Sequence, residues 1–155
     1  MNIRRLSANE RHYVVDLFDK YRIFYKQPTD KELADRFIKE RLENNESIIF
    51  VAFAEQNGQA IPVGFTQLYP KYSSVRAAKN WILNDLFVEA NYRRKGIDEK
   101  LIQTAIKFAK EKDAKFLQLE TAKDNYTAQS LYESIGFKKQ ELDRDLLLYR
   151  IEVNL

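Results

Sequence analysis

The chain contains no cysteine, which excludes disulfides, thiol nucleophiles and cysteine-based metal sites. It contains one histidine, His12, so no histidine cluster can form. A surface or half-buried position suits His12 better than a catalytic one. No run of about 18 apolar residues occurs, so no membrane span is expected. The opening residues, MNIRRLSANE, have no apolar signal core. These absences lead us to expect a cytoplasmic protein whose chemistry uses neither metal nor thiol. The charge is also unremarkable. The 26 basic and 23 acidic residues are mixed along the chain and leave a net charge of +3. A nucleic-acid binder gathers its cations on one face, so neither nucleic acid nor membrane is expected as a partner.

What is present suffices for a folded domain. The length of 155 residues predicts one domain, residues 1–155. Hydrophobic residues make up 45% of the chain, and 9 Tyr and 10 Phe make the core rich in aromatics.

The chain is organised around residues 84–101, NDLFVEANYRRKGIDEKL. An apolar strand over residues 81–88 passes through a polar turn and enters a helix after Gly96. Arg93, Arg94 and Lys95 stand just before that glycine. The first amides of a helix lack internal acceptors, and the helix dipole there favours negative charge. Gly96 lets the backbone approach a ligand closely. The stretch therefore reads either as an anion site or as an ordinary strand-to-helix turn with solvated cations.

The remaining elements follow from patterning. Residues 2–6 suit a short strand, and Ser7 with Glu10 forms a capping-box pattern ahead of a helix to about residue 25. Val14, Leu17, Phe18 and Tyr21 give that helix an apolar face. Pro28 breaks it, and Thr29 or Asp30 caps a second helix with Leu33, Phe37, Ile38 and Leu42 on one side. Residues 47–55 and 61–69 read as strands joined at Asn57-Gly58, and residues 70–75 as a loop carrying Tyr72. A strand to residue 88 completes a three-stranded meander. A third helix spans residues 98–112, a parallel strand residues 116–121, and a fourth helix residues 125–135, stopped by Gly136. Residues 137–141 and 146–153 are expected to form a final antiparallel pair.

Two blocks carry a resemblance. Arg93-Arg94-Lys95-Gly96-Ile97-Asp98 follows the pattern [RQ]-x-x-G-x-[GA], and Asn125, Ala128, Leu131, Tyr132, Gly136 and Phe137 follow N-x-x-A-x-x-[LF]-Y-x-x-x-G-F. Together they resemble the GNAT acetyltransferase superfamily, which uses acetyl-CoA. The phrase GFTQLYPKYSSVRAAKNWILNDLFV at residues 64–88 looks like small bacterial members of it. Asp98 departs from the pattern, which prefers Gly or Ala there.

The resemblance implies an α/β (α+β) fold: a mixed, mostly antiparallel sheet with a splayed central parallel pair, flanked by about four helices. It implies acetyl-CoA as cosubstrate, an amine as acceptor, and no metal. Phe87 and Val88 would offer backbone groups to the pantetheine arm. Arg93, Arg94, Lys95, Gly96, Ile97 and Asp98 would hold the pyrophosphate, with Asn125 and Tyr132 completing the cofactor site. Tyr132 matches the superfamily's general acid, although it also fits as a core tyrosine beside Ala128, Leu131 and Ile135. Asn84-Asp85 stands where many diamine acetyltransferases carry Glu-Asp. Asp85 could then take the amine's proton directly or through water, hold the substrate cation, or be structural. Asn84, Asp85, Tyr25 and Tyr72 are the candidate acceptor residues, and the aromatic run Tyr21, Phe24, Tyr25 lines the site or packs in the core. A homodimer is compatible with this fold. The function expected from the resemblance is acetyl transfer from acetyl-CoA to a primary amine of a small molecule by direct attack; the alternatives are transfer to a protein lysine or N-terminus and a non-catalytic acyl-CoA-binding module.

Overall fold

The computed structural model describes residues 1–141 and 144–154. The chain divides into two compact units, Met1–Glu120 and Thr121–Leu155. In the first, five strands lie in the order β1-β2-β3-β4-β5. They are β1 (Asn2–Arg5), β2 (Ile48–Gln56), β3 (Gln59–Ser73), β4 (Ala78–Val88) and β5 (Leu117–Gln118). All pairings are antiparallel except β4 with β5, which is parallel. This is the mixed, mostly antiparallel sheet expected from the sequence.

Helices cover both faces. α1 (Val15–Phe24) and α2 (Lys31–Glu43) pack on one face, where Leu17, Phe18, Ala34 and Ile38 meet Ile49, Val51, Phe65 and Phe87 of the strands. The Phe18 ring stacks on Phe37 and meets Phe65 edge-on, which ties α1 to α2 and to β3. α3 (Ile97–Glu111) covers the other face, with Leu101, Ile102, Ala105 and Phe108 buried. Phe108 sits edge-on to both Phe50 and Trp81.

Local chemistry explains the boundaries. Asp30 caps α2 by accepting from the Leu33 amide at 3.1 Å. Buried Asp19 fixes the α1–α2 connection, accepting from Thr29 Oγ1 at 2.6 Å and the Asp30 amide at 2.9 Å. Asn57 and Gly58 take positive φ, 52° and 79°, as a type I′ hairpin requires. Gly64 lies where β3 meets β4 and α3. A Cβ there would stand 3.0 Å from the Phe87 carbonyl and 3.4 Å from Leu101.

Three sequence expectations need correction. The first helix opens as a 3₁₀ helix, Ala8–Tyr13, with the Val14 amide bonded three residues back to Arg11. Residues 70–73 belong to β3 and are not a loop. Pro70 is tolerated because β2 pairs only as far as Leu68, so beyond it β3 is bonded to β4 alone and one edge needs no donor. The expected final pair over residues 137–141 and 146–153 is not formed by the described residues, and Leu147, Leu148 and Tyr149 are exposed. An isolated two-stranded hairpin is marginal without a partner sheet, whatever its propensity.

The second unit contains α4 (Tyr126–Ile135). The Asn125 side chain caps it by accepting from the Ala128 amide at 3.1 Å, and Gly136 closes it with φ 122°. Among the described residues no helix is long and apolar enough to cross a membrane.

Candidate functional site

β4 is the element that places the site. Its parallel pairing with β5 is limited to Trp81 with Leu117 and Ile82 with Gln118. From Leu83 to Val88 it pairs with β3 on one side, while among the described residues no strand of the first unit pairs with the other. Unpaired backbone groups along a strand edge are ready to bond an extended ligand.

A bulge interrupts β4 at its centre. Gln67 pairs with Asp85 and Leu68 with Leu83, so Asn84 is the extra residue. Bulges re-aim side chains locally. Here Asp85 turns to the α1 side of the sheet and is 2% exposed. Its Oδ2 is 2.5 Å from Gln67 Nε2, and its Oδ1 accepts from Asn84 Nδ2 at 2.8 Å. Its carbonyl accepts from Thr66 Oγ1 at 2.8 Å. The Tyr21 hydroxyl lies 3.3 Å from the Asn84 carbonyl and close to the Asp85 carboxylate, and its single proton can go to either acceptor. Among the described residues no ion pair involves Asp85.

The electrostatics follow from that burial. Loss of solvent pushes the Asp85 carboxyl above its ordinary value, and the bonds from Asn84, Gln67 and Tyr21 offset only part of the rise. The hydroxyls of Tyr21 and Tyr69 are also pushed up, first by burial and then by the Asp85 charge. Both remain protonated donors through the physiological range. Tyr25 meets the Tyr21 ring edge-on at 5.0 Å and Phe24 lies beside it, both exposed at the end of α1. The cluster is a buried acid under an aromatic rim.

The turn after β4 has the expected anion-site elements. A short 3₁₀ helix, Ala90–Tyr92, leads to Arg93, Arg94 and Lys95. Gly96 adopts φ 78°, and nothing lies within 4 Å of where a Cβ would be. The left-handed backbone favours glycine here, and the space above it is open. The first intrahelical bond of α3 runs from Lys100 to Gly96, so the amides before it face outward. Asp98 Oδ1 accepts from one of them, the Glu99 amide, at 2.8 Å. Arg93 points back, its Nε donating to the Val88 carbonyl at 2.9 Å with its guanidinium near the Phe87 and Phe24 rings. An open helix N-terminus with Arg94 and Lys95 fits a pyrophosphate, and the unpaired β4 edge fits an amide-bearing arm such as that of acetyl-CoA.

The first unit thus brings together Asn84, Asp85, Phe87, Val88, residues 93–98 and, through Tyr21, Tyr25. It does not bring Tyr72 to this group. Tyr72 pairs with Lys79 near the far end of the β3–β4 hairpin, about 16 Å along the strand from Gln67. Asn125 and Tyr132 lie in the second unit, where Tyr132 meets Phe137 edge-on at 6.0 Å. Gln67 and Tyr69 were not singled out from sequence. Sequence offers little signal for them, because β3 carries other polar residues, Thr66 and Lys71 among them, and the burial of Gln67 follows from the packing.

Comparisons with known proteins agree with this geometry. The Acetyltransferase (GNAT) family profile matches residues 12–137. An uncharacterized N-acetyltransferase of Bacillus subtilis, YhfO, is 45% identical over 139 residues, 90% of this chain and 91% of that protein. A probable acetyltransferase of Haemophilus influenzae is 34% identical over 131 residues, 84% of this chain and 86% of its own. A crystal structure of a probable acetyltransferase superposes with a TM-score of 0.84 at 34% identity, covering 99% of both chains.

Proposed function

The chain belongs to the GNAT acetyltransferase family, and from that premise we propose that it transfers an acetyl group from acetyl-CoA to the primary amine of a small molecule. The family makes it an acetyltransferase using acetyl-CoA. The acceptor class is our own reading, and one observation carries it. Asp85 is a buried carboxylate with hydrogen bonds but no cation partner among the described residues, at the free edge of β4 and beneath an aromatic rim. A buried charge needs a counter-charge, and an ammonium group supplies one.

The residues have separable tasks. Bound acetyl-CoA supplies an activated thioester. Arg94, Lys95 and the outward amides of residues 96–98 hold its pyrophosphate, with Arg93 nearby. Phe87 and Val88 offer backbone groups to its arm. Arg93 Nε donates to the Val88 carbonyl, whose second lone pair is left to accept from the arm. The acceptor enters as an ammonium ion with pKa near that of lysine, about 10.4, and must lose a proton before its lone pair can attack. Asp85 accepts that proton, and Asn84 and Tyr21 hold the carboxylate in place. Tyr25 and Phe24 shape the entrance. Tyr132, with a reference pKa of about 10, supplies the proton for the departing thiolate. The family match runs across both units, which supports one acetyltransferase domain over residues 1–155.

The test is CoA thiol release, followed with DTNB, against a panel of small amines and of peptides bearing a lysine or a free N-terminus. Release that depends on small amines supports the reading. Release with peptides alone would make the chain a protein acetyltransferase, and CoA binding without release under any acceptor would make it a binding module.

A further inference from the structure

Gln67 and Asp85 face each other across β3 and β4, 0% and 2% exposed. The amide of Gln67 has two ends, and only one is used. Nε2 lies 2.5 Å from Asp85 Oδ2, while Oε1 is buried without a partner. A buried unmet acceptor is costly. The 2.5 Å separation also falls below the usual N–H···O range and within that of O–H···O bonds. Each orientation of the amide matches one protonation state of Asp85, with the end turned away from the carboxyl left without a partner in either. With Asp85 ionised, Nε2 donates to the carboxylate. With Asp85 protonated, Oε1 accepts from the carboxylic acid.

We propose that Gln67 is a positioning residue whose amide reverses with the protonation state of Asp85, so that the pair is stable on both sides of a proton transfer. The proposal rests on the amine acetyltransferase reading above for its use in catalysis. There, an N–H bond of the acceptor ammonium breaks and its electron pair stays on nitrogen for the attack. The proton forms an O–H bond at Asp85 Oδ2, and Gln67 Oε1 receives the new hydrogen bond. Without the reversal, the product acid would face an N–H donor and lose its partner at the moment of transfer.

The other polar groups near the carboxylate keep their protonation state. Tyr21 of α1 and Asn84 of β4 contact the same carboxylate, and Tyr69 of β3 feels its charge. Arg41 of α2 acts on Tyr69 and is paired with Glu40 and Glu46. Tyr25 stands behind Tyr21. Tyr21 and Tyr69 hold their protons through the range in which Asp85 titrates, so the amide of Gln67 is the polar group beside Oδ2 left to adjust.

Carbon-13 NMR titration of the full-length protein, with the Asp85 carboxyl assigned by Asp85→Asn, reads this directly. In the native protein the Gln67 side-chain amide signals should shift with the same midpoint as the Asp85 carboxyl. In Gln67→Leu the Asp85 midpoint should rise by about one pH unit, because the bond to the charged form is the stronger of the two that are lost. The acid limb of the acetyl-transfer pH profile should move with it. Gln67→Glu, placing a second carboxylate opposite, should raise the midpoint further. Gln67 signals that ignore the Asp85 titration in the native protein would overturn the proposal, whether or not the variants fold. An unmoved Asp85 midpoint in folded Gln67→Leu would do the same. Coupled titration in a protein that acetylates no amine would keep the pair and overturn the acceptor reading instead.

Discussion

Asp85 contributes a loss of stability with rising pH, opposite in sign to the contributions of Asp19 and Glu10, whose carboxyls lie below their ordinary values. Burial raises the Asp85 pKa above the ordinary 3.8, so over the interval between the two values the native state binds more protons there than the unfolded state. Its contribution to stability therefore falls as pH rises from the ordinary carboxylate range through the folded pKa, and levels off above it. Asp85→Asn removes that loss. We expect the variant to be more stable than the native protein above the folded pKa and to lack the downward slope, measured by urea denaturation across a pH series. Its acetyl transfer should fall by about 10²–10⁴-fold, the loss of a positioned base. Equal stability at every pH would mean that Asp85 titrates normally. Tyr132→Phe makes a second test at this scale. It should retain CoA affinity and lose turnover by a similar factor, because only the hydroxyl is removed. Unchanged turnover, with chemistry rate-limiting, would return Tyr132 to a packing role.

Among the elements, the N-terminus of α3 makes the sharpest case. Asp98 bonds the Glu99 amide and places a carboxylate where a pyrophosphate would sit. The bond helps the empty helix, by about 0.3–1 kcal/mol, and opposes the anion. Asp98→Ala should tighten CoA binding in calorimetric titrations, with a smaller gain at high salt, and slightly lower the ligand-free melting temperature. Weaker CoA binding in the variant would show that the bond to Glu99 shapes the loop. The elements also show where sequence was informative. Asp30, the Asn57-Gly58 turn and Gly96 were legible because each answers a local backbone demand. Pro70 misled because its cost depends on whether a neighbouring strand needs its missing donor, and β2 ends just before it. The 137–153 pair misled because alternation and β-propensity do not supply a partner strand. The Asn84 bulge was invisible because register is a property of two strands, and with it went the pairing of Gln67 with Asp85. Tyr72 lies in β3 opposite Lys79, toward the far end of the hairpin from Gln67 and Asp85.

For the molecule as a whole, the proposed CoA site combines the N-terminus of α3 with the β4 edge that no described strand of the first unit pairs, together with buried Asp85. Ligand binding should then stabilise the native state globally, by about 2.7 kcal/mol at one hundred times the dissociation constant. A thermal-shift titration with CoA should show a concentration-dependent rise. The order of elements, the mixed sheet and the family were legible because they rest on hydrophobic patterning and on two spaced motifs. The cluster around Asp85 was not, because Tyr21, Gln67, Tyr69 and Asp85 come from α1, β3 and β4 and are brought near one another by the register of the strands and the packing of α1. The most direct test follows the acetyl group itself. Isotope-labelled acetyl-CoA is mixed with the protein and a panel of small primary amines, and the amines are examined by mass spectrometry. Labelled N-acetyl product is expected with the native protein, and its near-complete loss with Asp85→Asn at equal CoA occupancy. Label transferred to amine at the native rate by Asp85→Asn, or to no small amine by the native protein, would contradict that expectation.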